Sequence, residues 1–315
     1  MVHRRSVAEV FLTDFQDVDE RRYVVAAELP RSHPYFVESG ADQAGYDLPL
    51  LLECCRQAAT FGAHTKFDVP MDSVFLVNDW TLDLDPGADR PLVGEQPGRL
   101  TVLVTMVDPV VRADRLRSLG FEMALRLDGR LLATLRAHGT YAAAEEYAAL
   151  RLIGREEPPP TSDSLADPPL GARLAAAAVG RADQRNVLLA DLERGDGALL
   201  TRLSVPGRNP TLFDHPLDHF TAMILSDAAV QAAVLHGTDA RSTGQGEVRA
   251  VGLELAFSRF AELDSEVVVR TALTVDPGGA ERVAAGLVQV SFVQSGQECA
   301  AGTVRLAPAA GACRG

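Results

Sequence analysis

The sequence predicts an α+β fold laid down twice in one chain, each half carrying one long helix and a set of antiparallel strands. Three observations point there. Two long apolar helical stretches each precede runs of alternating apolar and polar residues. A stretch rich in proline, serine and acids, GREEPPPTSDSLADPPL over residues 154–170, interrupts the apolar periodicity and reads as a linker. The flanking segments, 1–153 and 171–308 with a tail at 309–315, are close in size and repeat weakly.

Taken in order, RSVAEVFLTDF from Arg5 alternates as a half-buried strand does, and RNVLLADLERG from Arg185 is its counterpart. Next come ELPRSHPYF, with His33-Pro34, and VPGRNPTLFDHPLDHF, with His215-Pro216. The helices follow, LPLLLECCRQAATFGAH and TAMILSDAAVQAAVLHG, and aligning Gln57 on Gln231 sets Glu53 on Asp227 at the same offset of 174. After each helix the pattern returns to strands. They are SVFLVNDWTLDLD, RLTVLVTMVDPVV and LGFEMALRLDGRLLATLRAHGTY in the first half, then EVRAVGLELAFSRFAELD, SEVVVRTALTV and AAGLVQVSFVQSGQECAAGTVRL in the second. Asp128-Gly129 and Ser295-Gly296 mark hairpin turns. One strand, one apolar helix and then an antiparallel sheet curved around it is the hotdog arrangement, here in tandem. The two halves are expected to form the hotdog pair within one chain.

Charge narrows the partners. With 30 basic and 43 acidic residues the net charge of −13 opposes a broad grip on nucleic acid or anionic lipid, so neither is an expected partner. No stretch is long and apolar enough for a signal peptide or membrane helix, and Cys54, Cys55, Cys299 and Cys313 show neither metal nor disulfide spacing, which fits the cytoplasm. Lys66, the only lysine, stands in HTKFDVP at a polar helix exit, a poor setting for Schiff-base chemistry. Glycine-rich phosphate loops, nucleophile elbows and metal-binding helices are absent, and the glycines of GTDARSTGQGEV lack the flanking strand and helix of a dinucleotide site. No metal or cofactor is called for.

The chemistry-bearing candidates sit on the helices and just before them. Glu53, Arg56, Gln57 and Thr60 share one helix face, while the second helix is apolar but for Ser226, Asp227 and Gln231. A carboxylate on such a helix costs several kcal/mol unless paired, bonded or protonated, so acid and amide in one register suggest a polar pocket. His33 and His215 precede the helices. An imidazole beside a carboxylate moves protons near neutral pH, although a His-Pro turn also simply caps itself. His3, His64, His138 and His236 have no comparable setting, and Cys54 and Cys55 read as small core residues. Phe36, Phe61, Phe75 and Trp80 could line an acyl tunnel or fill the core.

The succession RSVAEVFLTDF, HPYF, DLPLLLECCRQAATFGAH, VPMDSVFLVNDWTLDLD and, past the linker, DHPLDHFTAMILSDAAVQAA resembles the A-factor biosynthesis (AfsA-type) hotdog family over roughly residues 3–307. Its most specific parts are D-x-P-L-L-x-E-x-x-R-Q and D-H-P-x-D-H. The resemblance implies an acyltransferase that moves a β-ketoacyl group from acyl carrier protein to the hydroxyl of dihydroxyacetone phosphate, in γ-butyrolactone or butenolide signal synthesis. It sets His33, Glu53, Arg56 and Gln57 on the first motif and Asp214, His215, Asp218 and His219 on the second. The second helix departs from the family in Thr221-Ala222, where Pro-Gly is usual, and in Asp227, where Glu is usual. On this reading Glu53 or His33 is the base and the first helix's start holds the thioester carbonyl, with no covalent intermediate. His215 and Asp227 complete the catalytic set, and Arg56, Gln57, Asp218, His219, Gln231 and Trp80 contact substrate. Arg112, Arg115 and Arg117 in VVRADRLRS form a basic patch for the acidic carrier protein. A hotdog thioesterase or β-hydroxyacyl dehydratase, and a non-catalytic acyl-binding module, are the alternatives.

Overall fold

In the first half the alternating segment starts later than its pattern suggests. Val7–Glu9 winds into a 3-10 turn, and strand β1 (Leu12–Asp17) then doubles back through an acidic turn into β2 (Arg22–Leu29). A hairpin, not one strand, therefore precedes the helix. Helix α1 (Leu48–Lys66) begins after Asp47 with Pro49 in its first turn, where a missing N–H costs nothing, and ends with His64 and Lys66 against the C-terminal dipole. Four strands follow it: β3 (Val74–Leu84), β4 (Gly98–Arg112), β5 (Arg115–Leu127) and β6 (Arg130–Ala142). A short helix α2 (Ala144–Arg151), which the strand patterns did not signal, closes the unit.

The computed structural model describes residues 1–38, 45–88, 91–168, 172–195, 197–240, 247–274 and 286–309. It divides into two units, Met1–Val37 with Gln43–Pro160 and Glu38–Asp42 with Thr161–Gly315. Cys313 and part of GTDARSTGQGEV lie outside the described residues.

Unit 2 repeats the plan. A 3-10 turn over Gln184–Asn186 leads into β7 (Leu189–Gly195) and β8 (Ala198–Leu203); short β9 (His219–Phe220) precedes helix α3 (Ala222–Asp239). After it come β10 (Val248–Phe257), β11 (Ala261–Glu262), β12 (Val267–Leu273), β13 (Leu287–Gln294) and β14 (Gln297–Pro308). The run EVRAVGLELAFSRFAELD is thus two strands, β10 and β11, and β11 pairs with β9.

Within unit 1 the strands lie in the order β1-β2-β4-β5-β6-β3, all antiparallel. Unit 2 has the order β7-β8-β12-β13-β14-β10, also antiparallel. Position for position these are the same sheet. Each helix packs on its own sheet, α1 on β1 to β4 and α3 on β7, β8, β10 and β12 to β14. Alternation does the packing: Leu100, Val102, Val104 and Met106 of β4 are buried while Leu103 is exposed. Each such side chain contributes roughly 1.5–3 kcal/mol by leaving water.

The expected turns form. Asp128-Gly129 and Ser295-Gly296 both take positive φ at their two central residues, the twist that matches flanking strands. Ala113 and Asp114 at the β4–β5 tip do so as well, without a glycine to announce it. The structure also corrects the repeat. Its two 3-10 turns, and the bonds beyond them, align at an offset of 177, setting Arg4 on Arg181, Glu9 on Asn186 and Phe11 on Leu188. The alignment of Arg5 on Arg185 was three residues out of register.

Candidate active site

In unit 1 the site is built around Glu53, which is fully buried on α1. Its carboxylate accepts from Arg4 Nε at 2.9 Å, Arg56 Nε at 2.8 Å, Arg56 Nη2 at 2.7 Å and Gln57 Nε2 at 2.7 Å. Burial raises the Glu53 carboxyl, but the charges of Arg56 and Arg4 and their hydrogen bonds outweigh it and hold the group at about 2. An anion so well satisfied has little pull on a further proton. Arg56 keeps Nη1 unpartnered among the described residues, its Nη2 also reaching Val2 O at 3.2 Å, and its side chain is 20% exposed.

Gln57 is a clamp. Its Oε1 accepts from Phe11 N at 3.0 Å, and its Nε2 donates both to Glu9 O and to Glu53, each at 2.7 Å. Both amide hydrogens are committed within the protein, so its part is to pin the strand entrance to α1 and not to touch substrate. Gln231 does the same in unit 2, accepting from Leu188 N at 2.9 Å and donating to Asn186 O at 3.0 Å and Asp227 at 3.5 Å.

His33 shares no hydrogen bond or ion pair with Glu53. Its Nδ1 accepts from Tyr35 N and Phe36 N, both at 3.2 Å, so it caps its own His-Pro turn. The ring proton therefore sits on Nε2, which faces Glu9 Oε1 at 3.5 Å, while Phe11 and Phe36 flank the ring. Neither nitrogen offers a lone pair for base chemistry.

Unit 2 is wired differently. Asp227 is paired with Arg181, and the same guanidinium stands 3.5 Å from Glu38. Glu38 also accepts from the backbone N–H groups of Ala182 and Asp183 and from Asn186 Nδ2 at 3.0 Å. Val230 occupies the place of Arg56, one turn along from the acid. Thr221, the departure at the helix start, is its N-cap, Oγ1 accepting from Ile224 N at 3.4 Å.

The D-H-P-x-D-H segment yields two imidazole–carboxylate pairs. His215 Nδ1 bonds Asp214 Oδ1 at 2.5 Å and His219 Nδ1 bonds Asp218 Oδ1 at 2.7 Å. His219 also packs edge-on against Phe260.

The remaining candidates disperse. Trp80 is buried in β3; Phe75 joins His3, His64 and Tyr141; Phe61 packs on Phe15; only Phe36 adjoins His33. His64 donates from Nδ1 to Val69 O and meets His3, while His138 pairs with Asp79 and His236 with Thr271. Burial pushes both the Cys54 and Cys55 thiols up, which removes any thiolate nucleophile. Lys66 is tied to Asp17 and Asp19 O. Arg112 and Arg115 face each other at the exposed β4–β5 tip, but Arg117 is engaged by Glu146 of α2. Arg4, Arg181, Glu9 and Glu38 were not signalled; a buried acid on each helix demanded a cation, and the corrected register is what identifies both arginines.

Among solved structures, the pyran synthase domain from module nine of the sorangicin pathway shares the fold, with a TM-score of 0.54 and 16% identity over 95% of this chain and 98% of its own. The 12:0-ACP thioesterase from Umbellularia californica does so with a TM-score of 0.51 and 12% identity over 91% and 98%. These show a tandem hotdog. The 2-oxo-3-(phosphooxy)propyl 3-oxoalkanoate synthase of Streptomyces virginiae is 33% identical over 84% of this chain and 83% of its own length. Its namesake in Streptomyces coelicolor is 32% identical over 92% and 84%. The model of the A-factor biosynthesis hotdog domain matches residues 1–143 and 162–309, and the chain belongs to this AfsA family.

Proposed function

We propose that this chain is a 2-oxo-3-(phosphooxy)propyl 3-oxoalkanoate synthase, an acyltransferase that esterifies dihydroxyacetone phosphate with a 3-oxoacyl group. The observation that carries the reading is the 33% identity over 84% of the chain to a synthase named for that ester. Its alcohol part is dihydroxyacetone phosphate and its acid part a β-keto acid, as in the making of γ-butyrolactone or butenolide signals. The hydroxyl oxygen attacks the thioester carbonyl, the C–S bond breaks, and the proton passes from alcohol to thiol.

The residues fit those needs unequally. Arg56, with Nη1 open and its plane fixed by Glu53, supplies a guanidinium for the acceptor's phosphate. Glu53, held at about 2, orders Arg56 and is too weak a base for an alcohol proton. The proton then goes to an imidazole.

The donor arrives on acyl carrier protein. Arg112 and Arg115, with exposed Val110 and Val111 beside them, offer an acidic partner a basic and apolar tip. Buried free Cys54, Cys55 and Cys299 suit a reducing cytoplasm. No helix among the described residues is long and apolar enough to cross a membrane.

The test mixes the protein with a 3-oxoacyl carrier-protein thioester, with and without dihydroxyacetone phosphate, and reads products by mass spectrometry. A phosphorylated ester formed only with the acceptor is expected; free acid alone would overturn the reading, as would dehydration of a 3-hydroxyacyl thioester offered in place of the 3-oxoacyl donor with no ester formed from either. Arg56→Met is expected to raise KM for dihydroxyacetone phosphate while leaving unphosphorylated dihydroxyacetone unaffected.

A further inference from the structure

We infer that Asp214 and His215 form the proton-transfer pair of this enzyme, with His215 Nε2 taking the acceptor's proton and Asp214 acting as its positioning residue. The inference rests on the acyl-transfer reading and specifies which imidazole serves it.

Geometry separates the histidines. An ionised carboxylate only accepts, so the 2.5 Å bond between Asp214 Oδ1 and His215 Nδ1 places the ring proton on Nδ1. The lone pair is left on Nε2, which no described residue engages. Asp214 is 2% exposed and His215 27%, so the carboxylate is sheltered while the ring reaches towards solvent. His33 is arranged the other way round. Two backbone N–H groups fill its Nδ1 and its Nε2–H faces Glu9, so accepting a proton would mean breaking the turn it caps. His64 and His236 are buried and bonded to their surroundings, and His138 lies paired with Asp79 on β3 and β6. His219 shares the arrangement of His215, but its backbone is held in β9 and its ring sits against Phe260.

The step balances. As the acceptor's oxygen bonds to the thioester carbonyl carbon, its proton moves to His215 Nε2; the C–S bond then breaks and the sulfur leaves as thiol with that proton. Asp214 keeps Nδ1 protonated throughout and faces the imidazolium that forms.

The test compares ester formation by wild type, His215→Gln, Asp214→Asn and Asp214→Glu. The first two are expected to lose about 10²–10⁴-fold in kcat with little change in KM for the thioester, and Asp214→Glu to recover part of it. In Asp214→Asn the acid limb of kcat/KM should move to lower pH, because an imidazolium without its carboxylate forms less readily, a change that loss of fold alone would not produce. Rates within threefold of wild type and an unmoved limb would overturn the assignment while leaving acyl transfer intact. A wild type that makes no ester would remove the acyl-transfer reading, and this pair with it. Should Asp214→Asn fail to fold, nitrogen-15 NMR of the unaltered chain decides: a protonated Nδ1 and bare Nε2 at His215 support the pair, and the opposite tautomer overturns it.

Discussion

Units 1 and 2 carry the same clamp and opposite charge. In both, a glutamine on the helix holds the 3-10 turn ahead of the first strand and bonds the acid one turn back. In both, an arginine three residues ahead of that turn reaches that acid. Unit 1 then adds Arg56, so its acid meets two guanidiniums, whereas unit 2 has Val230 there and adds Glu38, so one guanidinium serves two acids. The skeleton of the repeat is a matter of folding. What differs is chemistry: unit 1 retains a cation with an open donor, and unit 2 has spent its cation internally.

The largest effect expected from that difference is on stability. Arg181→Met removes the cation that two nearly buried carboxylates share and should cost about 3–5 kcal/mol. Arg4→Met leaves Arg56 on both oxygens of Glu53 and should cost only about 2 kcal/mol. Urea denaturation of the two variants reads the ordering, and equal losses would break the comparison. Val230→Arg, which gives unit 2 the missing second arginine, should return about 1 kcal/mol to Arg181→Met, a coupling a double-mutant cycle isolates.

Acid should find unit 1 next. The folded Glu53 carboxyl, at about 2 against an ordinary 4.5, is depressed, so its ion pairs stabilise fully above pH 4.5 and that contribution is lost as pH falls towards 2. The shift corresponds to roughly 3 kcal/mol at most. Denaturant melts at pH 7 and pH 3 should show part of this loss in wild type and less of it in Glu53→Gln.

These contrasts were only partly readable in advance. The helices, their acids and the Asp128-Gly129 turn follow from periodicity and turn chemistry, which act within a few residues. Arg4 and Glu53 are 49 positions apart, and their pairing depends on how β1 and α1 pack. Local patterning carries no trace of that. Two repeats could have supplied it, but arginines at 4, 5, 181 and 185 allow more than one alignment, and alternation tolerates a slip that hydrogen bonds do not. The hairpin that opens unit 1 goes unsignalled because the turn between β1 and β2 is acidic, without glycine or proline. At the β7–β8 junction, by contrast, the sequence over residues 195–197 reads Gly-Asp-Gly, a turn signal that taking RNVLLADLERG as one strand passes over. Glu38 was invisible for a plainer reason, since a lone glutamate ahead of a helix has no pattern at all.

A glycine on each helix sharpens the comparison at the level of packing. A Cβ at Gly62 would lie 2.0 Å from Tyr23 Oη and 2.4 Å from its ring, and that hydroxyl donates to Ala58 O from a buried, rigid position. At Gly237 the nearest atom is the tip of Leu306, at 2.5 Å, which can rotate. Gly62→Ala should therefore cost about 1–3 kcal/mol and Gly237→Ala little, since a helical alanine otherwise gains over glycine. Melting temperatures test it.

The smallest effect on stability, and the most selective on function, belongs to the β4–β5 tip. Arg112→Glu with Arg115→Glu alters only exposed side chains and should leave stability within about 0.5 kcal/mol. If the tip receives carrier protein, KM for the carrier-bound thioester should rise about tenfold while a small thioester is processed as before, and added salt should narrow the gap because screening already weakens the wild-type encounter. Equal effects on both donors would locate the damage in the sheet and not in docking. Arg117→Glu would confuse that result, because it also breaks the bond to Glu146 and loosens α2. The clean experiment leaves Arg117 alone: only the two arginines outside that bond can report on a partner without reporting on the fold.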